Sequence, residues 1–202
     1  LRLPEETYLS SLTEIIEPDR LHQSRKVVKQ ALAARFRIDF ERLYRILSPA
    51  GPARIDAKDA GRRALRNACL SFLMALEEPQ TAGLALEQLA GADNMTDALG
   101  ALTELARSPH PVRSEALGMF YQRWEGYPLV VDKWFRVQAV SDLPGTLTDV
   151  KRLTEHEKFQ LGNPNKVRAL LGAFSHSNPL HFHAADGTGY QFITAQILRI
   201  DP

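Results

Sequence analysis

Apolar side chains recur along this chain at three- and four-residue intervals, the spacing that gathers them on one face of an α-helix. Leu65, Ala68, Cys69, Phe72, Leu73 and Leu76 form one such stripe. Met95, Ala98, Leu99, Leu102 and Ala106 form a second, and Val167, Leu170, Leu171 and Phe174 a third. Between the stripes lie helix starts and stops. Asp56 is placed to cap the first helix, with Asp59 in its first turn, where the helix dipole favours negative charge. Pro18 opens a segment reaching about Leu47, with a break expected near Ile38 and Asp39. Gly91 ends one helix, residues 93–96 enter the next, and residues 108–111 close it. Pro128 opens a helix carrying Asp132, Lys133 and Trp134; Asn163 and Pro164 open another, and Asn178-Pro179 follows its end. This punctuation predicts about nine or ten helices, mostly of about 10–18 residues, joined by short polar turns. One stretch is open to two readings. Residues 180–184 and 190–194 flank Asp186-Gly187-Thr188-Gly189, which suits either a β-hairpin turn or a loop capped by Asp186. In the second case a helix carrying Tyr190, Ile193 and Ile197 follows.

Many short helices with short connections predict an all-α fold, a superhelical solenoid of degenerate HEAT- or armadillo-like helix pairs. No strict sequence repeat marks the pairs. The 202 residues suffice for one such domain with a substantial core, so a single helical-repeat domain over 1–202 is expected. Leu1 in place of Met, and an apolar helix at Pro202 with no capping repeat, lead to the expectation of a segment of a longer protein cut at both ends. Composition is ordinarily globular, with 44% hydrophobic and 24% charged residues, which sets aside a disordered or fibrous chain. Lys and Arg (25) nearly balance Asp and Glu (24), so no global field points to nucleic acid or a membrane surface. No apolar run approaches the ~20 residues that span a bilayer, and no segment reads as a signal peptide. Cys69 is the one cysteine and lies on an apolar stripe, which fits an inert thiol in a reducing, cytoplasmic setting.

Candidate chemistry is sparse. His156-Glu157-Lys158-Phe159-Gln160 approaches the HExxH zinc motif, but Gln160 stands where the second histidine is needed, so it reads as a surface polar run. His181, His183 and Asp186 have metal-ligand residue types, yet in a Gly- and Asp-containing loop they read as turn and capping residues. Arg62, Arg63 and Arg66 form a local basic patch, read as a solvated face or as ion pairs within the domain. No phosphate loop, nucleophile elbow or Cys/His cluster is present, so no catalytic and no metal-ligating residue is assigned.

Several stretches in order resemble the C-terminal helical domain of bacterial aminopeptidase N, a branch of the gluzincin zinc metallopeptidases. They are Leu65-Arg66-Asn67-Ala68-Cys69-Leu70, Asn94-Met95-Thr96-Asp97-Ala98-Leu99, Asp132-Lys133-Trp134-Phe135 and Asn163-Pro164-Asn165 leading to Arg168. Gly172-Ala173-Phe174, Ser177-Asn178-Pro179 and Phe182-His183-Ala184 through Gly187 follow. The resemblance covers the chain from about Leu3 to Leu198 and is weakest before Asp56. It implies a parent peptidase that removes N-terminal amino acids, with its zinc and catalytic residues in another domain and none here. It implies that this segment covers the active site and restricts access, its partners being the catalytic domain of the same chain and peptide substrates. It implies a loop and helix after Gly187. It also places Arg168, with Asn163 and Asn165, along the substrate channel. A free-standing adaptor that binds protein on its concave face is the alternative.

Overall fold

The structure, a computed structural model, describes residues 3–49 and 51–200. No strand occurs among them; every regular element is helical. The order is α1 (Glu6–Ser10), α2 (Pro18–Arg35), α3 (Arg37–Ile46), α4 (Ala57–Met74), α5 (Pro79–Gly91), α6 (Met95–Ala106) and α7 (Val112–Trp124). It continues with α8 (Pro128–Ala139), α9 (Thr146–Leu153), α10 (Pro164–Val167), a π-helical turn (Arg168–Gly172), α11 (Ala173–Ser177), α12 (Pro179–Phe182) and α13 (Thr188–Ile200). The helices outnumber the nine or ten expected, because four- and five-residue helices leave too little apolar period to be seen. Contacts divide the chain into two compact units, Leu1–Ala116 and Leu117–Pro202, and the division falls within α7.

In the first unit α4 is central, packing on α2, α3, α5 and α6. Its start follows from the sequence: the Asp56 carboxylate accepts the Asp59 N–H, satisfying one of the free donors of the first turn. Having neighbours on several sides widens its buried arc beyond the stripe read from the sequence. Cys69, Leu70, Phe72, Leu73 and Met74 are buried, and so is Arg66, whereas Leu65 is 36% exposed and Ala68 and Leu76 lie half-buried. Phe72 stacks on Phe40 of α3 with ring centroids 4.7 Å apart. The break between α2 and α3 falls at Phe36 rather than near Ile38 and Asp39. Phe36 itself leaves helical geometry at φ −112 and ψ 22, and its ring meets Phe40 edge-on at 6.4 Å. Helix α6 is entered within residues 93–96 as expected, with Asn94 as its cap: the Asn94 side chain accepts the Asp97 N–H, and the helix buries Ala98, Leu102 and Ala106 along with Ala101 and Leu105.

In the second unit α8 packs on α9, the π-helical turn and α11. Phe135, Val150, Leu170 and Phe174 are fully buried there, and each such side chain contributes about 1.5–3 kcal/mol by leaving water. Pro128 opens α8, and Asn163 caps α10 by accepting the Asn165 N–H. After Gly187, in left-handed conformation at φ 72, the chain forms the loop and helix that the resemblance implies. Helix α13 buries Gly189, Phe192 and Gln196; the residues named for it from the sequence are not its buried face, since Tyr190 and Ile197 are exposed and Ile193 is half-buried.

Candidate functional site

The stretches that carry the family resemblance meet in pairs. In the first unit Arg66 and Asn67 of α4 face Asn94 and Asp97 at the start of α6. Asp97 is 2% exposed and accepts from the Asn94 side-chain amide at 3.1 Å and from Asn67 Nδ2 at 3.4 Å. Gln88 of α5 donates to Asn67 Oδ1 (2.7 Å) and to the Asp97 carbonyl (3.0 Å). Arg66 donates to the Tyr44 hydroxyl at 3.1 Å, lies over the Tyr44 ring, and approaches Asp97 at 3.8 Å. Burial pushes the Tyr44 phenol above its usual range, so it stays a neutral hydroxyl able to accept from Arg66 and donate to Gln88 Oε1 (3.0 Å). Four helices are thus tied through one buried polar network, which fixes their register because each group is used by the next. A cavity of about 430 Å³ adjoins it. Tyr44 and Gln88 were not signalled by the sequence, since a lone Tyr or Gln in a helix carries no period of its own.

The second unit repeats the principle. Lys166 Nζ donates to Asp132 Oδ1 (2.5 Å) and to the Pro128 carbonyl (3.1 Å), and Lys166 is 7% exposed. The Asn178 side-chain amide donates to the carbonyls of Ala139 (2.9 Å) and Ser141 (2.8 Å), while its oxygen accepts the His181 N–H. Buried Lys166 had a signal in the sequence: it stands four residues before Leu170, in the register of the apolar stripe.

Arg168, Asn163 and Asn165 lie together on the α10 segment. Arg168 is exposed and begins the π-helical turn, and Asn165 is exposed as well. Asn163 has its side-chain oxygen engaged by the Asn165 N–H at 3.0 Å, so it shapes the turn. A π turn widens the helix by one residue and re-aims the side chains around it, a distortion the three-and-four spacing does not reveal.

His156 and Glu157 lie in a turn after α9, not on a helix. His156 packs against the rings of Tyr121, Trp134 and Phe135 at 5.2, 5.3 and 5.7 Å, and its Nδ1 accepts the Lys158 N–H. Burial lowers its pKa from the usual 6.5. Glu157 accepts from the Tyr121 hydroxyl at 3.3 Å. His183 and the Tyr190 hydroxyl are 2.6 Å apart, and Asp186 accepts from both the N–H and hydroxyl of Thr188. These residues do not fit a zinc site: no group of three or more His, Cys, Asp or Glu among the described residues is arranged to hold a metal. Arg62 and Arg63 both pair with Asp59, whose carboxyl is held below the usual range first by the Arg62 hydrogen bond. Burial pushes the Cys69 thiol up, away from the nucleophilic thiolate. Among the described residues no helix is long and apolar enough to cross a membrane.

These features define a helical-repeat domain held by polar joints between neighbouring helices. Residues 1–202 match a family model described as a domain of unknown function, DUF3458_C, with ARM repeats. The chain belongs to this ARM-repeat family, the C-terminal domain of aminopeptidase N. It is 37% identical over 201 residues to aminopeptidase N of Caulobacter vibrioides, covering 100% of this chain and 23% of that protein. It is 36% identical over 197 residues to aminopeptidase N of Escherichia coli, covering 98% and 22%. It superimposes with a TM-score of 0.89 on the crystal structure of Legionella pneumophila aminopeptidase A in complex with aspartic acid, at 32% identity, covering 100% of this chain and 24% of that one. The chain thus spans about a quarter of the length of these relatives.

Proposed function

We propose that this domain serves a cytoplasmic zinc aminopeptidase by covering its active site and restricting entry to peptides and unfolded chain ends, while the zinc and the catalytic groups reside elsewhere in the polypeptide. The observation that carries this reading is similarity, over nearly the whole of this chain, to about a quarter of the length of aminopeptidases. Within the domain, Arg168 with Asn163 and Asn165 faces the peptide. Arg168 is exposed and follows directly on the helix that Asn163 caps, so its guanidinium is open to pair with a substrate carboxylate or carbonyl.

The test is Arg168→Ala in the complete enzyme, with kcat/KM measured for a peptide bearing a free carboxylate and for a short aminoacyl amide. Loss of one charge-assisted hydrogen bond, about 1.5–3 kcal/mol, corresponds to about a tenfold or greater fall for the peptide, with the amide spared. Equal loss for both substrates, or loss matched by a lower Tm, assigns Arg168 to structure instead.

A further inference from the structure

We propose that the face shared by α8, the π-helical turn and α11 binds acidic side chains of a peptide substrate, downstream of the residue that is removed. Lys133 and Arg136 of α8 and Arg168 of the π turn are exposed, and none of them forms an ion pair among the described residues. Asp132 is the one carboxylate on α8, α10, the π turn and α11, and buried Lys166 takes it up. Three cations therefore stand without an opposite charge on these elements, although the whole chain is only net +1. Positive charge gathered in this way is complementary to carboxylates.

The fold brings these charges onto one surface. Lys133 and Arg136 stand three residues apart, as neighbours on α8. Arg136 Nη2 donates to the Ser177 hydroxyl at 3.4 Å, which joins α8 to the end of α11. One residue back, His176 Nδ1 donates to the Gly172 carbonyl at 3.0 Å. A Cβ built on Gly172 would lie 3.8 Å from the Arg168 Cβ, so a run of contacts links Arg136 to Arg168. The π turn makes this possible. On a regular α-helix, residues eight apart point about 80° away from each other. The extra residue of the π turn takes back about 100°, which leaves Arg168 and His176 about 20° apart, on one face. Between them Gly172 presents no side chain, which leaves room for a peptide to lie there.

A peptide suits this face better than a nucleic acid does. The unpaired cations end with these short elements, and the nearly balanced chain supplies no basic stripe to follow a phosphate backbone. The face acts only on a peptide that reaches the domain, so its role rests on the function proposed for the domain as a whole. What it adds is the class of substrate that gains: peptides with Glu or Asp beyond their first residues.

In the complete enzyme, kcat/KM is measured for two peptides that are identical except for glutamates or glutamines in their C-terminal half. The glutamate peptide should be favoured about fivefold, with the ratio falling towards one as salt is added. Lys133→Gln combined with Arg136→Gln should remove most of that ratio while Tm holds, and Arg136→Lys, which keeps the charge, should retain it. A ratio of one in the native enzyme, a ratio unchanged in the double variant, or a loss shared equally by both peptides overturns the proposal. So does inhibition by single-stranded DNA that the double variant relieves, which would give the face to nucleic acid. Both peptides end in the same free carboxylate, so failure here leaves the Arg168→Ala comparison standing. Equal loss for peptide and amide in Arg168→Ala, with the glutamate ratio absent as well, would remove both.

Discussion

His156 shows how one side chain changes meaning once its surroundings are known. In sequence it belongs to a polar run beside Glu157 and Lys158; in the structure three aromatic rings enclose it and lower its pKa. Well above pH 6.5 the ring is neutral in both folded and unfolded chains and costs nothing. As pH falls below that value the unfolded chain takes the proton first, so stability is lost towards the depressed folded pKa. Protonation of Nδ1 would also remove the acceptor for the Lys158 N–H. Unfolding free energies from urea titrations between about pH 7 and pH 5 should therefore fall more steeply for the native chain than for His156→Phe, which keeps a ring and removes the charge. His22, paired with Glu6 at 2.9 Å, contributes equally to both proteins and drops out of the difference. Identical pH dependence in the two would dismiss the account. Other residues were more legible. Asp56 caps its helix as its position predicts, and Asn94 caps α6 within the predicted entry at residues 93–96, because a capping oxygen needs only local geometry. Arg66 and Leu65 exchanged places, one buried and one exposed, because the arc of α4 is set by helices distant in sequence.

Between elements, the joints are polar where the faces are apolar. The Lys166–Asp132 pair illustrates the balance: desolvation offsets much of its attraction, yet removing either partner would strand a buried charge at a cost of about 3–5 kcal/mol. Neither partner was read from sequence as part of a joint, since they lie on separate helices. The π-helical turn at Arg168–Gly172 was equally hidden, because it keeps the apolar residues inside while adding one residue to the turn. The approach of α13 to α12 can be tested directly. A Cβ added at Gly189 would sit 2.8 Å from the His181 carbonyl oxygen and closer still to that of Phe182, and both are backbone atoms with little room to move. Gly189→Ala should therefore destabilise the chain by about 1–3 kcal/mol in denaturant unfolding. Gly118 of α7 meets nothing within 4 Å, so Gly118→Ala serves as the control and should be neutral or stabilising by up to about 1 kcal/mol. Two variants of equal stability would mean that this close approach does not constrain the helices.

For the molecule as a whole, the helical class was legible because period and caps repeat many times, so errors of a residue or two at each boundary do not change it. Its division into two compact units was not, because α7 runs across the boundary with no break in its pattern. Arg168 was singled out only through resemblance, since a single exposed arginine has no local signature of substrate contact. The functional reading turns on chemistry residing outside these residues, and this has a direct consequence. His156 is enclosed by rings with its Nδ1 already accepting a hydrogen bond, and among the described residues no group of three or more His, Cys, Asp or Glu is arranged around it and Glu157 to hold a metal. The chain alone should release no product from an aminoacyl p-nitroanilide, with or without added zinc, under conditions where the complete enzyme turns over. Circular dichroism on the same sample should show helix without strand, so that inactivity is not mistaken for unfolding. Turnover that survives purification and vanishes in His156→Ala or Glu157→Ala would place catalysis within these 202 residues and remove the basis for reading the domain as a cover.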